Sequence, residues 1–264
     1  MRSVLIKALY DQRRALIGWG VGLTLMVLLE TALWPSIGRM PELGQFLDSY
    51  PEAMRKLFNM EEFGTGTGFV NAELFSALVP VLFLTYAIGR GARAIAGEEE
   101  AGTLDVLLVT PVTTTGLLLQ QTGALLAGLL ILGAVLYAAI VLGSLLFGLG
   151  IGLVPLLSAT VATVLLAWEF GCLALAVGAV TGRRPVAIGV GAAAAVAGYL
   201  LYVAGKLVQA IDPWQSLSPF EQAMSGGPIG AGFRPAYLLM PAVALLFVAA
   251  AMPRFARRDI AVAH

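Results

Sequence analysis

Long apolar stretches alternate with short polar or basic links along the whole chain, a pattern that predicts helices crossing a membrane. A helix needs about 20 residues to cross roughly 30 Å of hydrocarbon. Six runs have about that length: Ala15 to Leu33, Ala72 to Gly89, Leu117 to Leu146, Val154 to Val180, Val186 to Val208 and Tyr237 to Met252. Pro80 and Pro241 interrupt the second and sixth, which neighbouring helices can compensate. Ahead of the first run, Val4, Leu5, Ala8 and Leu9 recur at helical spacing, with Lys7, Asp11 and Arg14 off that stripe. This predicts an N-terminal interfacial helix over residues 1–14, apolar side toward lipid; a plain extension of the first span is the alternative. Arg13 and Arg14 precede an apolar core as in a signal peptide, but Glu30 and Trp34 stand where a small-residue cleavage site would be, so the span is expected to be retained. The expected fold is an all-α integral membrane protein, a single transmembrane domain over residues 1–264.

Two links are long enough to carry structure. In the outer loop, residues 35–71, Pro41 can open a helix with Leu43, Phe46 and Leu47 on one side, and Pro51 a second with Met54, Leu57 and Phe58. Gly64-Thr65-Gly66-Thr67-Gly68 then reads as a hinge or linker; it lacks the Lys-Ser/Thr ending of a phosphate-binding loop. In the segment 209–235, Pro213, Pro219, Pro228 and Pro235 break the chain into short pieces, among which stand Trp214, Leu217 and Phe220. That composition predicts short outer helices re-entering the leaflet between spans five and six, or else a loop resting on headgroups.

Charge orients these spans. Arg2, Lys7, Arg13, Arg14, Arg90, Arg93, Arg183, Arg184, Arg254, Arg257 and Arg258 fall on one side, against Arg39, Arg55, Lys56, Lys206 and Arg234 on the other. By the positive-inside rule both termini are expected in the cytoplasm. Composition agrees with the spans: 59% of residues are hydrophobic and 12% charged, where a soluble domain has roughly 25% charged, and the mean hydropathy is +0.87. The net charge is zero, without the basic footprint that nucleic acid would require. Cys172 is the single cysteine and His264 the single histidine, which leaves neither an intrachain disulfide nor a histidine metal site.

The richest link is Gly97-Glu98-Glu99-Glu100-Ala101-Gly102-Thr103-Leu104-Asp105-Val106-Leu107-Leu108-Val109-Thr110-Pro111-Val112, within the loop spanning residues 90–116. Three glutamates oppose withdrawal of the segment into lipid. Thr103 can cap a short helix with Asp105 in its first turn, and Pro111 ends that helix after about two turns. Leu104, Leu107 and Leu108 share one side. An apolar knob on an acidic stalk suits a groove in another protein; it would equally suit packing on the chain's own helices, with the glutamates as a solvated run. The order of residues, an acidic run before Gly-Thr-Leu, a Leu-Leu pair and a Pro, resembles the first cytoplasmic loop of ABC-2-type ABC transporter permeases, and the six-span frame resembles theirs over nearly the whole chain. The resemblance implies that Glu98, Glu99, Glu100, Gly102, Thr103, Leu104, Leu107, Leu108 and Pro111 couple the protein to a separate ABC ATPase subunit, which would hold ATP and Mg while this chain needs no cofactor of its own. It also implies an interfacial connecting helix at the N-terminus and a second copy or similar permease as partner. Relatives commonly carry an Arg and then a Lys after the proline; Thr113-Thr114-Thr115 and Gln120-Gln121 stand here instead.

No Gly-x-x-x-x-Gly-Lys-Ser/Thr loop or membrane-protease motif occurs, so energy is expected from a partner ATPase or an ion gradient. Glu169 bears on that choice. It stands near the middle of the fourth span, where an acidic group costs about 2.5–3.5 kcal/mol on insertion scales. It is a candidate for the substrate path, a proton carrier, or a neutral group bonded to another helix. Gly18 and Gly22 in the first span and Gly191, Ala195 and Gly198 in the fifth are small enough for close helix contact, at a dimer seam or within one copy. The resemblance favours the seam, and implies an exporter of amphiphilic or hydrophobic substrates in a prokaryotic plasma membrane. An ion-coupled secondary transporter using Glu169 and a non-transport membrane scaffold are the alternatives.

Overall fold

The computed structural model describes residues 4–38, 63–102, 113–230 and 232–258. Among the described residues every regular element is helical. In chain order they are α1 (Val4–Ile37), α2 (Gly66–Glu100), α3 (Thr114–Phe147), α4 (Leu153–Thr181), α5 (Arg184–Leu207), two short helices α6 (Asp212–Gln215) and α7 (Pro219–Met224), a 3-10 turn (Pro235–Leu238) and α8 (Leu239–Arg257). Helices α1 to α5, and α8 with its leading turn, are six helices long and apolar enough to cross a membrane. The protein is a multi-pass membrane protein.

The helices run past their expected limits for local reasons. Helix α1 continues without interruption through Arg13 and Arg14, because no glycine or proline stands between Val4 and Gly18 and most of these residues favour the helix. Residues 4–14 are therefore its first turns, and no separate interfacial helix is seen among the described residues. Helix α2 starts inside the glycine-rich stretch expected as a hinge. Thr65 caps it, its hydroxyl accepting from the Gly68 N–H at 3.0 Å, and a Cβ on Gly66 would run into the backbone of Leu149. Glycine serves close packing there. Pro80 is accommodated by a wide π turn over Asn71–Leu78, in which the Val79 N–H reaches the Leu74 carbonyl five residues back. Pro241 lies in the first turn of α8, where a missing N–H removes no intrahelical bond. The outer helices expected after Pro41 and Pro51 lie outside the described residues.

Helix α4 is the centre of the bundle and packs on α2, α3, α5 and α8. Small residues permit this. A Cβ on Gly91 of α2 would collide with the Gly171 carbonyl of α4, and one on Gly171 would meet Leu125 and Ala87 at 2.8 and 3.1 Å. Helix α1 sits at the edge, held mainly by α3. Its outer side carries Ile17, Val21, Leu25 and Leu29, each more than half exposed, a continuous apolar stripe that water would not tolerate and lipid accepts. Between α5 and α8, α6 and α7 fold back against the span before them. The Ser218 hydroxyl donates to the Gly198 carbonyl at 2.7 Å and the Gln215 amide to the Tyr202 carbonyl at 3.1 Å, while Phe220 packs against Phe170 and Tyr199.

Candidate functional site at the terminal end of the bundle

Both described ends of the chain lie at one end of the bundle, and the acidic triplet meets them there. Glu98, Glu99 and Glu100 form the last turn of α2, after a second π segment at Arg93–Gly97. Gly102 stops the helix in the left-handed region, at φ 65°, with its N–H donating to the Glu99 carbonyl at 3.0 Å. A side chain would strain that position. Thr103, Leu104, Leu107, Leu108 and Pro111 lie outside the described residues. The described chain resumes at Thr113, whose hydroxyl caps α3 by accepting from the Gly116 N–H at 3.1 Å.

The glutamates are not simply solvated. Glu99 Oε2 pairs with Arg258 Nη2, just beyond α8. The same guanidinium donates through Nη1 to the Ala179 carbonyl in the last turn of α4, at 2.8 Å, where a cation meets the negative end of the helix dipole. Glu100 Oε1 accepts from the Arg184 N–H at 2.9 Å. That N–H belongs to the first turn of α5, whose donors have no intrahelical acceptor, and the carboxylate adds favourable charge at the positive end. Gly182, at φ 64°, ends α4 beneath the pair, and a Cβ there would press on the Arg258 guanidinium and the Glu99 carboxylate at 2.7 and 2.8 Å. One turn of α2 is thereby clasped to the ends of α4, α5 and α8. Sequence reasoning did not find Gly182, Arg184 or Arg258 as its partners; the only signal was the basic runs Arg183-Arg184 and Arg257-Arg258, read as orientation alone.

Beside the clasp, α1, α2 and α3 enclose a polar cavity of about 230 Å³, lined by Lys7, Asp11, Gln12, Arg90, Arg93, Glu98 and Gln121 with three alanines. Two hydrogen bonds tie its inner wall together. The Tyr86 hydroxyl donates to Gln12 Oε1 at 3.2 Å, and Gln12 Nε2 reaches the Ala124 carbonyl at 3.4 Å.

Glu169 is placed elsewhere. It is 5% exposed, and its Oε2 is buried without a hydrogen-bond partner among the described residues. Helical register sets it between Ser158, whose hydroxyl meets that of Tyr237 at 3.4 Å, and Ala176, which lines a groove with Phe247 and Ala251. By that register it shares the side of α4 on which Ser158 and Ala176 meet the sixth span. The candidate small residues divide in two. Gly191 lies against Ile88 and Ala174, Ala195 is buried, and Gly198 lies under Phe220 and Phe170, all within one copy. Gly18 and Gly22 are exposed, with nothing within 4 Å of where a Cβ would stand. Among the described residues no group of His, Cys, Asp and Glu side chains is placed to hold a metal ion.

A family model described as "Multidrug efflux system permease Rv1217c, C-terminal domain" matches residues 2–256. No curated protein sequence and no solved structure gave a significant match.

Proposed function

This chain belongs to the multidrug efflux system permease Rv1217c, C-terminal domain family, and on that premise we propose that it is the membrane subunit of an ABC-2-type exporter powered by a separate ATPase subunit. In this reading the terminal end of the bundle is cytoplasmic, and the segment after Gly102 seats Leu104, Leu107 and Leu108 in a cleft of the ATPase. The ATPase holds ATP and Mg, and two permease copies, or this chain and a similar one, share the substrate path. The substrate is an amphiphilic or hydrophobic compound, and the setting is a prokaryotic plasma membrane.

The observation that carries the reading is the clasp. The stalk that leads into the docking segment ends in carboxylates bonded to Arg258 and to the first turn of α5. Closure of an ATPase beneath it would move α4, α5 and α8 together with α2. The Glu99–Arg258 pair keeps some exposure, so it contributes about 1 kcal/mol, little enough to break within a cycle.

The test is co-purification followed by transport. With the wild-type chain, affinity capture from native membranes should retain an ATP-binding subunit identified by mass spectrometry. Leu107→Asp places a charge on the apolar knob and should abolish capture. Retention of the same ATPase by Leu107→Asp, with undiminished drug export, would refute docking at this segment.

A further inference from the structure

We propose that the polar cavity between α1, α2 and α3 is a binding site for a phosphodiester monoanion, the group carried by membrane lipid headgroups. Arg90, Arg93 and Lys7 supply three positive charges to its lining, while Asp11 and Glu98 supply two negative ones. The wall is left with one net positive charge, which a phosphodiester carrying a single negative charge neutralises. A phosphate dianion would overshoot it.

A specific donor points the same way. Arg90 Nε is buried and has no acceptor among the described residues. A buried donor without an acceptor is unfavourable, and a planar guanidinium matches two phosphate oxygens better than any other side chain does. Gln12, which could have turned toward that guanidinium, is held by Tyr86 and the Ala124 carbonyl. Gly128 preserves the arrangement, since a Cβ there would stand 2.7 Å from the Tyr86 hydroxyl and within 3.4 Å of both Gln12 side-chain polar atoms. Gln12 is therefore held away from the Arg90 guanidinium. At about 230 Å³ the cavity has room for a phosphodiester with its glycerol neighbour, a water taking roughly 30 Å³.

Its depth favours a lipid source. Arg90 and Arg93 close the apolar part of α2, and Lys7 and Asp11 lie just before the apolar part of α1. The cavity therefore sits where headgroups lie, on the side to which the positive-inside rule assigns the cytoplasm. Such a site is independent of the transport reading, because its occupancy needs neither an ATPase nor a drug.

The experiment is native mass spectrometry of the full-length chain titrated with phosphatidylglycerol, phosphatidylcholine and water-soluble glycerophosphoglycerol, using wild type, Arg90→Met and Lys7→Met. Met keeps the length of each side chain without its charge. For phosphatidylglycerol, Arg90→Met should lose at least tenfold in affinity and Lys7→Met, at an exposed residue that cannot unfold the bundle, about threefold. Binding of glycerophosphoglycerol to wild type with the same loss in Arg90→Met would make the headgroup sufficient. Binding of the lipid without the soluble headgroup would assign part of the affinity to the acyl chains, and either outcome supports the site. Equal affinity of all three proteins for every ligand would overturn it.

Discussion

Helices α1 and α4 have nearly the same mean hydropathy, 1.8 and 1.9 over their most apolar windows, yet 22% of the one window and 78% of the other are buried inside the chain. The difference teaches what hydropathy does and does not measure in a bilayer. Lipid tails are as apolar as leucine, so nothing hydrophobic drives one span inward and another outward. Close fit decides instead. The buried surface of α4 interleaves small residues, Ala159, Ala162, Gly171, Ala174 and Gly178, with large ones such as Leu156, Leu166, Trp168 and Phe170, and Ser158, Thr160 and Thr163 are buried among them. The Thr160 and Thr163 hydroxyls are returned to their own helix, each donating to a carbonyl four residues back at 2.9 Å. On α1 the large aliphatic side chains Ile17, Val21, Leu25 and Leu29 stand with Gly18 and Gly22 on a side that meets no neighbour among the described residues.

That contrast breaks first at the contact of α2 with α4. Gly91→Leu would drive a branched side chain into the Gly171 carbonyl and the backbone of α4 near Leu175. Backbone cannot rotate away as a side chain can, so the loss should reach or exceed the upper end of the usual overpacking cost, about 3 kcal/mol. The measurement is the yield of monodisperse protein and its thermal midpoint in detergent. A midpoint equal to wild type would show that α4 is less tightly enclosed than the structure has it.

The next test concerns the acid in that enclosed helix. An acidic group at this depth costs about 2.5–3.5 kcal/mol on insertion scales, and Glu169 Oε2 has no hydrogen-bond partner among the described residues to offset it. Glu169→Gln keeps the volume and removes the charge, so the folded protein should be as stable as wild type or gain up to a few degrees. If the carboxyl contacts the polar part of a substrate, export of a cationic drug should fall about tenfold in the same variant while ATPase activity persists. Export that Glu169→Gln abolishes, and that an uncoupler stops despite ATP, would favour an ion-coupled carrier.

Arg258→Ala acts at the other kind of contact, the clasp between α2 and the helix ends around it. It removes the partner of Glu99 and the cap on the Ala179 carbonyl. Both side chains of the pair keep some exposure, 18% and 13%, so the cost in stability should stay near 1 kcal/mol. Coupling should suffer more: the ATPase would still co-purify, but export would fall several-fold relative to ATP hydrolysed. Unchanged export per ATP would remove the clasp from the path of force.

How much of this could be read from sequence follows from the same physics. The six spans were legible because twenty apolar residues in succession have few other uses, and short helices after Pro213 and Pro219 were legible because proline favours a first turn. Which span lies at the centre was not, since α1 and α4 have nearly the same mean hydropathy. The acidic triplet stood out as unusual, but its partners Arg184 and Arg258 are 84 and 159 residues away from the glutamates they meet. No local pattern encodes a pairing of that range. The glycine-rich run in which α2 starts misled for a related reason: Gly66 answers to Leu149, a neighbour only in three dimensions.

The smallest effect on the fold should come from the exposed side of α1, and there the comparison can be sharpened into a statement about assembly. Gly18 and Gly22 are a helical turn apart, and neither has an atom near the place of a Cβ. Within one subunit Gly18→Leu should therefore change stability by no more than about 0.5 kcal/mol, as surface substitutions usually do; a gain in helix propensity acts in the same direction as tolerance. At a seam between copies the same change would hold two backbones apart and weaken association, because small residues spaced by four allow close approach of helices. Gly191→Leu is the control, since it meets Ile88 at 3.1 Å and Ala174 at 3.3 Å inside the subunit and should lower the thermal midpoint without any specific effect on assembly. Mass photometry or crosslinking in membranes would separate the two. A dimer lost in Gly18→Leu with an intact monomer would place the seam on α1, whereas a dimer retained in Gly18→Leu and Gly22→Leu would leave that stripe to lipid.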